Sequence, residues 1–256
     1  MILKGKKGVI FGVANKISLA WSIAQEAVTQ GADITLCVAN ERFRDKIAPM
    51  AAELGLAEPI ICDVASDESI QSTFKELAGK VGQIDFMVHA IAFANREDLQ
   101  GRFADTSREG YHVAQDISSY SLCVMAKEAE KIMPEGGSIV TLSYIGAKRA
   151  IPGYNVMGVA KASLEASVRY LAADLGPSKI RVNAVSAGPV KTLSSSAVSG
   201  LKEKLDLHIG VCPLRRNITQ KEVGDATAFL ASDLASGVTG DVLYVDCGYH
   251  IAGRWD

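Results

Sequence analysis

Short apolar runs alternate along the whole chain with longer segments whose apolar residues recur at helical spacing. Gly8-Val9-Ile10-Phe11-Gly12-Val13 is apolar throughout, as expected of a strand covered on both faces. Leu19, Ile23, Ala27 and Gln30 then fall on one side of a predicted helix that Gly31 stops. The alternation continues with a strand over Ile34–Val38 and a charged helix over Glu41–Leu54. A strand over Pro59–Cys62 and a helix over Asp67–Val81 follow. Next come a strand at Ile84–Ile91, a long helix at Arg108–Met133 and a strand at Ser138–Leu142. A helix at Tyr154–Leu175, a strand at Ile180–Val185, a helix at Gln220–Ser232 and a strand at Val242–Val245 complete the pattern.

Strict β–α alternation at this spacing calls for parallel strands joined by right-handed crossovers. The predicted fold is therefore α/β, a single-domain Rossmann-type doubly wound parallel sheet over residues 1–256, with helices on both faces. Pro189–Gly200 has four serines and no periodic pattern. It follows a strand's carboxyl end, where this fold binds ligands, so it is read as a substrate-binding lid over about 189–210.

Composition narrows the function classes. The 27 basic and 29 acidic residues leave a net charge of −2, with no basic stripe of the kind nucleic acid requires. No charge-free apolar stretch approaches the roughly 18 residues that cross a bilayer. Residues Met1–Lys7 run into a strand without a signal-peptide pattern. Five widely spaced cysteines, never in a CxxC arrangement, read as reduced thiols rather than disulfides or metal ligands. A cytoplasmic protein with no metal, nucleic-acid or membrane partner is expected.

Three strand ends carry candidate binding chemistry. Gly12 begins a turn that reaches Ser18 at a helix start, where a phosphate meets free N–H groups and the positive helix end. Only the first glycine of the usual three-glycine turn is present, so this turn alone is equally an ordinary strand–helix connection. Asp63, followed by Val64, offers an acceptor to an adenine amino group, though a turn residue is as good a reading. Ala90-Ile91-Ala92 leaves room for a ribose. At the second strand's end Asn40 is neutral and Glu41 would repel a 2′-phosphate, which favours NADH over NADPH; Arg42 and Arg44 count the other way.

The segment with the clearest chemistry is Tyr154-Asn155-Val156-Met157-Gly158-Val159-Ala160-Lys161. Seven residues are nearly two helical turns, so Tyr154 and Lys161 are expected on one face, offset by about 20°. An ammonium beside a phenol favours phenolate and is expected to pull the phenol pKa down. Such a pair stabilises negative charge developing on a substrate oxygen. In isolation the spacing more often means a half-buried tyrosine and a surface lysine.

With Gly12 and the β–α alternation, the chain resembles the short-chain dehydrogenase/reductase superfamily over nearly its whole length. Serine at 18 in place of further glycine, and Met157 after the tyrosine, resemble its divergent branch of enoyl-acyl-carrier-protein reductases. The runs Asp116-Ile117-Ser118-Ser119-Tyr120-Ser121, Leu142-Ser143-Tyr144 and Ser186-Ala187-Gly188-Pro189 agree with that branch.

The resemblance implies reduction of the trans-2 double bond of an enoyl thioester on acyl-carrier protein, with hydride from NADH. Tyr154 would bind the thioester carbonyl and stabilise the enolate, Lys161 would hold the nicotinamide ribose, and Tyr144 would shape the acyl pocket. Gly12, Ser18, Leu19, Asn40, Asp63, Val64 and Ile91 would line the cofactor, and Ala94 would touch substrate. Val190, Lys191, Thr192, Leu193 and Ser194 would close over the nicotinamide. The resemblance also implies a homotetramer and sensitivity to triclosan; Ala92 stands where glycine is common and adds a methyl group near the pocket.

Two rivals stand beside this reading. A carbonyl reductase of the same superfamily would carry a serine 13 residues before the tyrosine, where this chain has Thr141. A non-catalytic nucleotide sensor would have no use for Tyr144, Tyr154 and Lys161 together. His89, inside an apolar strand, reads as a satisfied core histidine, and Lys148 and Arg149 as a solvated turn. Trp255 is a candidate for subunit packing.

Overall fold

The computed structural model describes residues 1–190 and 201–253. Seven parallel strands form one sheet: β1 (Lys7–Phe11), β2 (Asp33–Val38), β3 (Ile60–Ile61), β4 (Phe86–His89), β5 (Gly137–Ser143), β6 (Ile180–Ala187) and β7 (Val242–Val245). Their spatial order is β3-β2-β1-β4-β5-β6-β7, every pair parallel. The winding reverses between β1 and β4, so a crevice at their carboxyl ends is where a doubly wound sheet takes a ligand.

The helices are α1 (Leu19–Thr29), α2 (Glu41–Glu53), α3 (Asp67–Lys80), α4 (Arg108–Gln115), α5 (Ser121–Glu130), α6 (Asn155–Leu175), α7 (Leu201–Val211) and α8 (Gln220–Ala231). Both faces of the sheet are covered, which is why its central strands lack polar alternation. Ile10, Leu36, Val88, Val140 and Val185 pack with α1, α2 and α8 on one face. Val9, Phe11, Met87, Ile139 and Val182 pack with α3, α5 and α6 on the other. Side chains alternate between two apolar layers rather than between core and water.

Two elements depart from the sequence reading. The long helix expected over Arg108–Met133 is interrupted by a π-helical turn at Asp116–Tyr120 between α4 and α5. That turn aims Ser118 at the loop after β4, where its hydroxyl donates to the Phe93 carbonyl at 3.0 Å and accepts from the Phe93 N–H at 2.9 Å. Ser119 next to it donates to Ser163 on α6 at 2.9 Å. Such insertions concentrate at functional sites. The second is α7, a helix that the sequence reading did not name; it begins directly after the patternless Pro189–Gly200 stretch and overlaps the end of the expected lid. Leu207, Ile209 and Val211 point outward and are exposed, so apolar residues on its solvent side mask the one-faced pattern that reveals a helix.

Candidate active site

The carboxyl ends of β1 and β4 meet at Gly12. Its φ is +95°, and a Cβ there would collide with the Ala90 carbonyl. Both the left-handed backbone and the close approach exclude a side chain. Ser18 is the N-cap of α1: it accepts from the Trp21 N–H at 3.2 Å and donates its hydroxyl to the Asn15 carbonyl at 2.8 Å. Its hydroxyl proton is therefore committed within the turn, and an anion at this helix start would meet backbone N–H groups first. Leu19 opens α1 and packs on the core beneath it.

Asn40 caps α2 by accepting from the Phe43 N–H at 3.2 Å. Arg44 is drawn off by the carboxylates of Glu58 at 3.5 Å and of Glu41 and Asp45 at 3.8 Å. Asp63 is exposed, with one carboxylate oxygen accepting from the Ala65 N–H at 3.0 Å. Val64 and Ile91 are half-buried over the α3–α5 layer. Val190 is buried in the α1–α8 layer, so its side chain serves the core. Lys191, Thr192, Leu193, Ser194 and Trp255 lie outside the described residues.

The β5–α6 connection assembles the chemistry. Tyr144 follows β5 directly, and its ring meets that of Tyr154 edge-on, centroids 4.8 Å apart and planes at 70°. Tyr154 packs against a small cluster of Leu99, Ala114, Val156, Met157 and Ala160, which Ala94 also touches. Tyr154 stands at the N-cap of α6, one residue before the helix proper, and Asn155, the first helical residue, has φ +35°. The Asn155 side chain donates to the Gln100 and Gly101 carbonyls at 3.3 and 3.2 Å, which ties down this uncommon backbone. Lys161 reaches the same connection from α6 and donates to the Leu142 carbonyl at 2.7 Å.

The expected lowering of the Tyr154 phenol is also overturned. Burial first, and the neighbouring Tyr144 second, push it up. Tyr144 is pushed up to about 12 by burial and then by Tyr249. Both phenols are thus neutral O–H donors around pH 7. Lys161, only 4% exposed, is instead the group whose ionisation moves toward neutrality, down to about 8 through burial that Glu165 opposes.

Thr141 shows no exposed surface and faces His89 across the β4–β5 register. Its hydroxyl donates to the His89 carbonyl at 3.1 Å and lies 2.9 Å from Nδ1, while Nε2 lies 2.9 Å from Ser121 Oγ. Burial, followed by the Lys161 cation, lowers His89 to about 3, so it is a neutral, satisfied core histidine, as its sequence setting suggested. The hydroxyl at the carbonyl-reductase serine position is buried and bonded to His89.

A family model described as enoyl-(acyl carrier protein) reductase matches residues 12–250, from the Gly12 turn to His250. The chain belongs to the enoyl-acyl-carrier-protein reductase family. It is 52% identical over 254 residues to the enoyl-acyl-carrier-protein reductase (NADH) of Nostoc sp., covering 98% of each chain. The Bacillus cereus enzyme of the same name is 50% identical, with 98% of this chain and 99% of that one covered. Among solved structures, an Anaplasma phagocytophilum enoyl-acyl-carrier-protein reductase in complex with NAD superimposes with a TM-score of 0.96. It is 50% identical and covers 100% of this chain and 98% of its own. A Bacillus cereus enoyl-acyl-carrier-protein reductase with NADP+ and an indole naphthyridinone has a TM-score of 0.96 and 50% identity, covering 99% of both chains.

Against this family background, sequence reasoning missed three contributors. Gly146 stands between the tyrosines: a Cβ would lie 2.5 Å from Tyr154 Cδ1 and 3.1 Å from Tyr144 Cδ1. Ser143 and Glu165, buried and bonded at 2.7 Å, brace β5 against α6 behind Lys161. The adjacency of Ser143 to Tyr144, and the four-residue step from Lys161 to Glu165, were the available signals. Lys148 and Arg149 are exposed but not idle: Lys148 lies over the Tyr244 ring and Arg149 donates to the His250 carbonyl. Among the described residues no cluster fit to hold a metal occurs, and no helix is long and apolar enough to cross a membrane. Cys37 and Cys62 are buried and their thiols are pushed up by burial.

Proposed function

We propose that this chain reduces the trans-2 double bond of enoyl thioesters carried on acyl-carrier protein, using NADH, as the last reductive step of fatty-acid elongation. The observation that carries this is the arrangement at the end of β5 and the start of α6: two neutral phenols edge-on, Lys161 bonded to the Leu142 carbonyl two residues before Tyr144, and the Thr141 hydroxyl bonded to the His89 carbonyl. A carbonyl reductase needs that hydroxyl on its substrate; an enoyl reductase does not.

The crevice fits a dinucleotide. Gly12 keeps the β1 turn free of side-chain bulk, the start of α1 presents N–H groups to a pyrophosphate, and Asp63 keeps an exposed carboxylate for an adenine amino group. Asn40 is neutral and Arg44 is paired with carboxylates, which supports NADH over NADPH, while the exposed Arg42 counts the other way. When bound, NADH supplies a hydride to the β-carbon. Tyr154 donates its O–H to the thioester oxygen and stabilises the enolate that forms there, before the α-carbon is protonated. Lys161 donates to the ribose, and Tyr144 and Ala94 border the acyl chain. The assembly is a cytoplasmic homotetramer. NADH oxidation followed at 1:1 concentrations of crotonyl and acetoacetyl thioesters tests the reaction class: crotonyl must be consumed and acetoacetyl spared. Light scattering tests the tetramer.

A further inference from the structure

Lys161 and Glu165 lie one turn apart on α6, and both are buried. Each is held by one of two consecutive residues at the end of β5. Lys161 donates to the Leu142 carbonyl at 2.7 Å, and Glu165 accepts from the Ser143 hydroxyl at 2.7 Å. The next residue is Tyr144, half of the tyrosine pair. A buried carboxylate is costly unless it has a partner, and here it has one donor and a cation one helical turn away.

We infer that Glu165, oriented by Ser143, is a positioning residue that keeps the buried Lys161 charged and aimed at the β5–α6 connection. The inference rests on the proposed role of Lys161 as ribose ligand, but its core statement concerns the free chain. Burial acts against the Lys161 ammonium and the Glu165 carboxylate acts for it. The other groups that bear on this pair are His89 from β4, Lys148 after β5 and Arg169 on α6. His89 is neutral, with its ring nitrogens beside Thr141 and Ser121. Lys148 is exposed, and senses both Glu165 and Arg169. Arg169 hydrogen-bonds the Glu165 backbone carbonyl at 3.0 Å. Glu165 is thus the one named carboxylate that favours the Lys161 cation.

The test is an NMR titration of the full chain labelled with ε-¹³C lysine, with Lys161 assigned by Lys161→Arg. The wild-type midpoint is expected near 8. Glu165→Gln should move it down by roughly one pH unit or more, the scale of losing one nearby opposite charge. Glu165→Asp should fall between, and Ser143→Ala should move it down by less. NADH affinity, measured by fluorescence across the same pH range, should shift its alkaline limb in step. An unmoved midpoint in Glu165→Gln overturns the inference. Where that variant fails to fold, unmoved midpoints in both Glu165→Asp and Ser143→Ala overturn it instead. A wild type that titrates as expected but binds no NADH would sink the proposed function and leave this inference standing.

Discussion

Tyr144 and Tyr154 meet edge-to-face at 4.8 Å, and Gly146 is the residue that lets them do so. A methyl group at position 146 would fall 2.5 Å from the Tyr154 ring, closer than any relaxed carbon contact. Gly146→Ala is therefore expected to displace one ring and lower kcat. The cost in stability should stay within the roughly 1–3 kcal/mol of an overpacked site. Enoyl-thioester turnover set beside a thermal melt checks this; full turnover in a folded variant would mean that the ring geometry is not needed.

Tyr154→Phe keeps the ring contact and removes only the O–H. Turnover should fall by about 10- to 1,000-fold, the scale of one oxyanion donor, while NADH affinity holds. Unchanged single-turnover rates would remove Tyr154 from the chemistry.

Lys161→Ala should weaken NADH binding and turnover together, because the ribose contact and the local cation are lost at once. Both residues serve one transition state, so Tyr154→Phe with Lys161→Ala should be less impaired than the product of the single defects. Strictly multiplicative defects would show that the two act independently.

The sign of the pH effect follows from burial. Lys161 sits at about 8 in the free chain, below its ordinary value, so the ammonium is present below that pH and is lost as pH rises through it. NADH affinity should be flat on the acid side and decline above about 8. Lys161→Arg should lose that limb, since guanidinium does not titrate there. A wild-type limb that persists in Lys161→Arg would belong to another group.

Asn40→Arg should move the NADH/NADPH ratio of kcat/KM toward NADPH by placing a cation at the end of β2. The same change deletes the α2 cap bonded to Phe43, at about 1 kcal/mol of stability. A ratio unmoved in a variant that shows the lowered melting temperature would place the 2′-hydroxyl elsewhere.

Much of the sheet was legible in the chain because the central strands are predominantly apolar on both faces and the crossover helices carry apolar stripes. Val9 and Ile10 illustrate it: neighbours in sequence, they enter opposite apolar layers, and no polar residue interrupts them. The departures share one cause, which is that local pattern does not report distant partners. The π-helical turn at Asp116–Tyr120 exists to aim Ser118 and Ser119 at Phe93 and Ser163, contacts that no periodicity encodes. The helix α7 was hidden because its outward residues are apolar.

The sequence by itself determined the parallel α/β architecture and which residues stand at the strand ends, since these follow from periodicity and spacing. Tertiary structure alone decided the electrostatics of Tyr154 and Lys161. Spacing led to a phenol lowered by its lysine; burial raises the phenol and lowers the lysine instead, because desolvation penalises whichever form carries charge. It also decided that Thr141 turns toward His89 and that Ser143 meets Glu165. Those are contacts between residues far apart in the chain, and only packing brings them within reach.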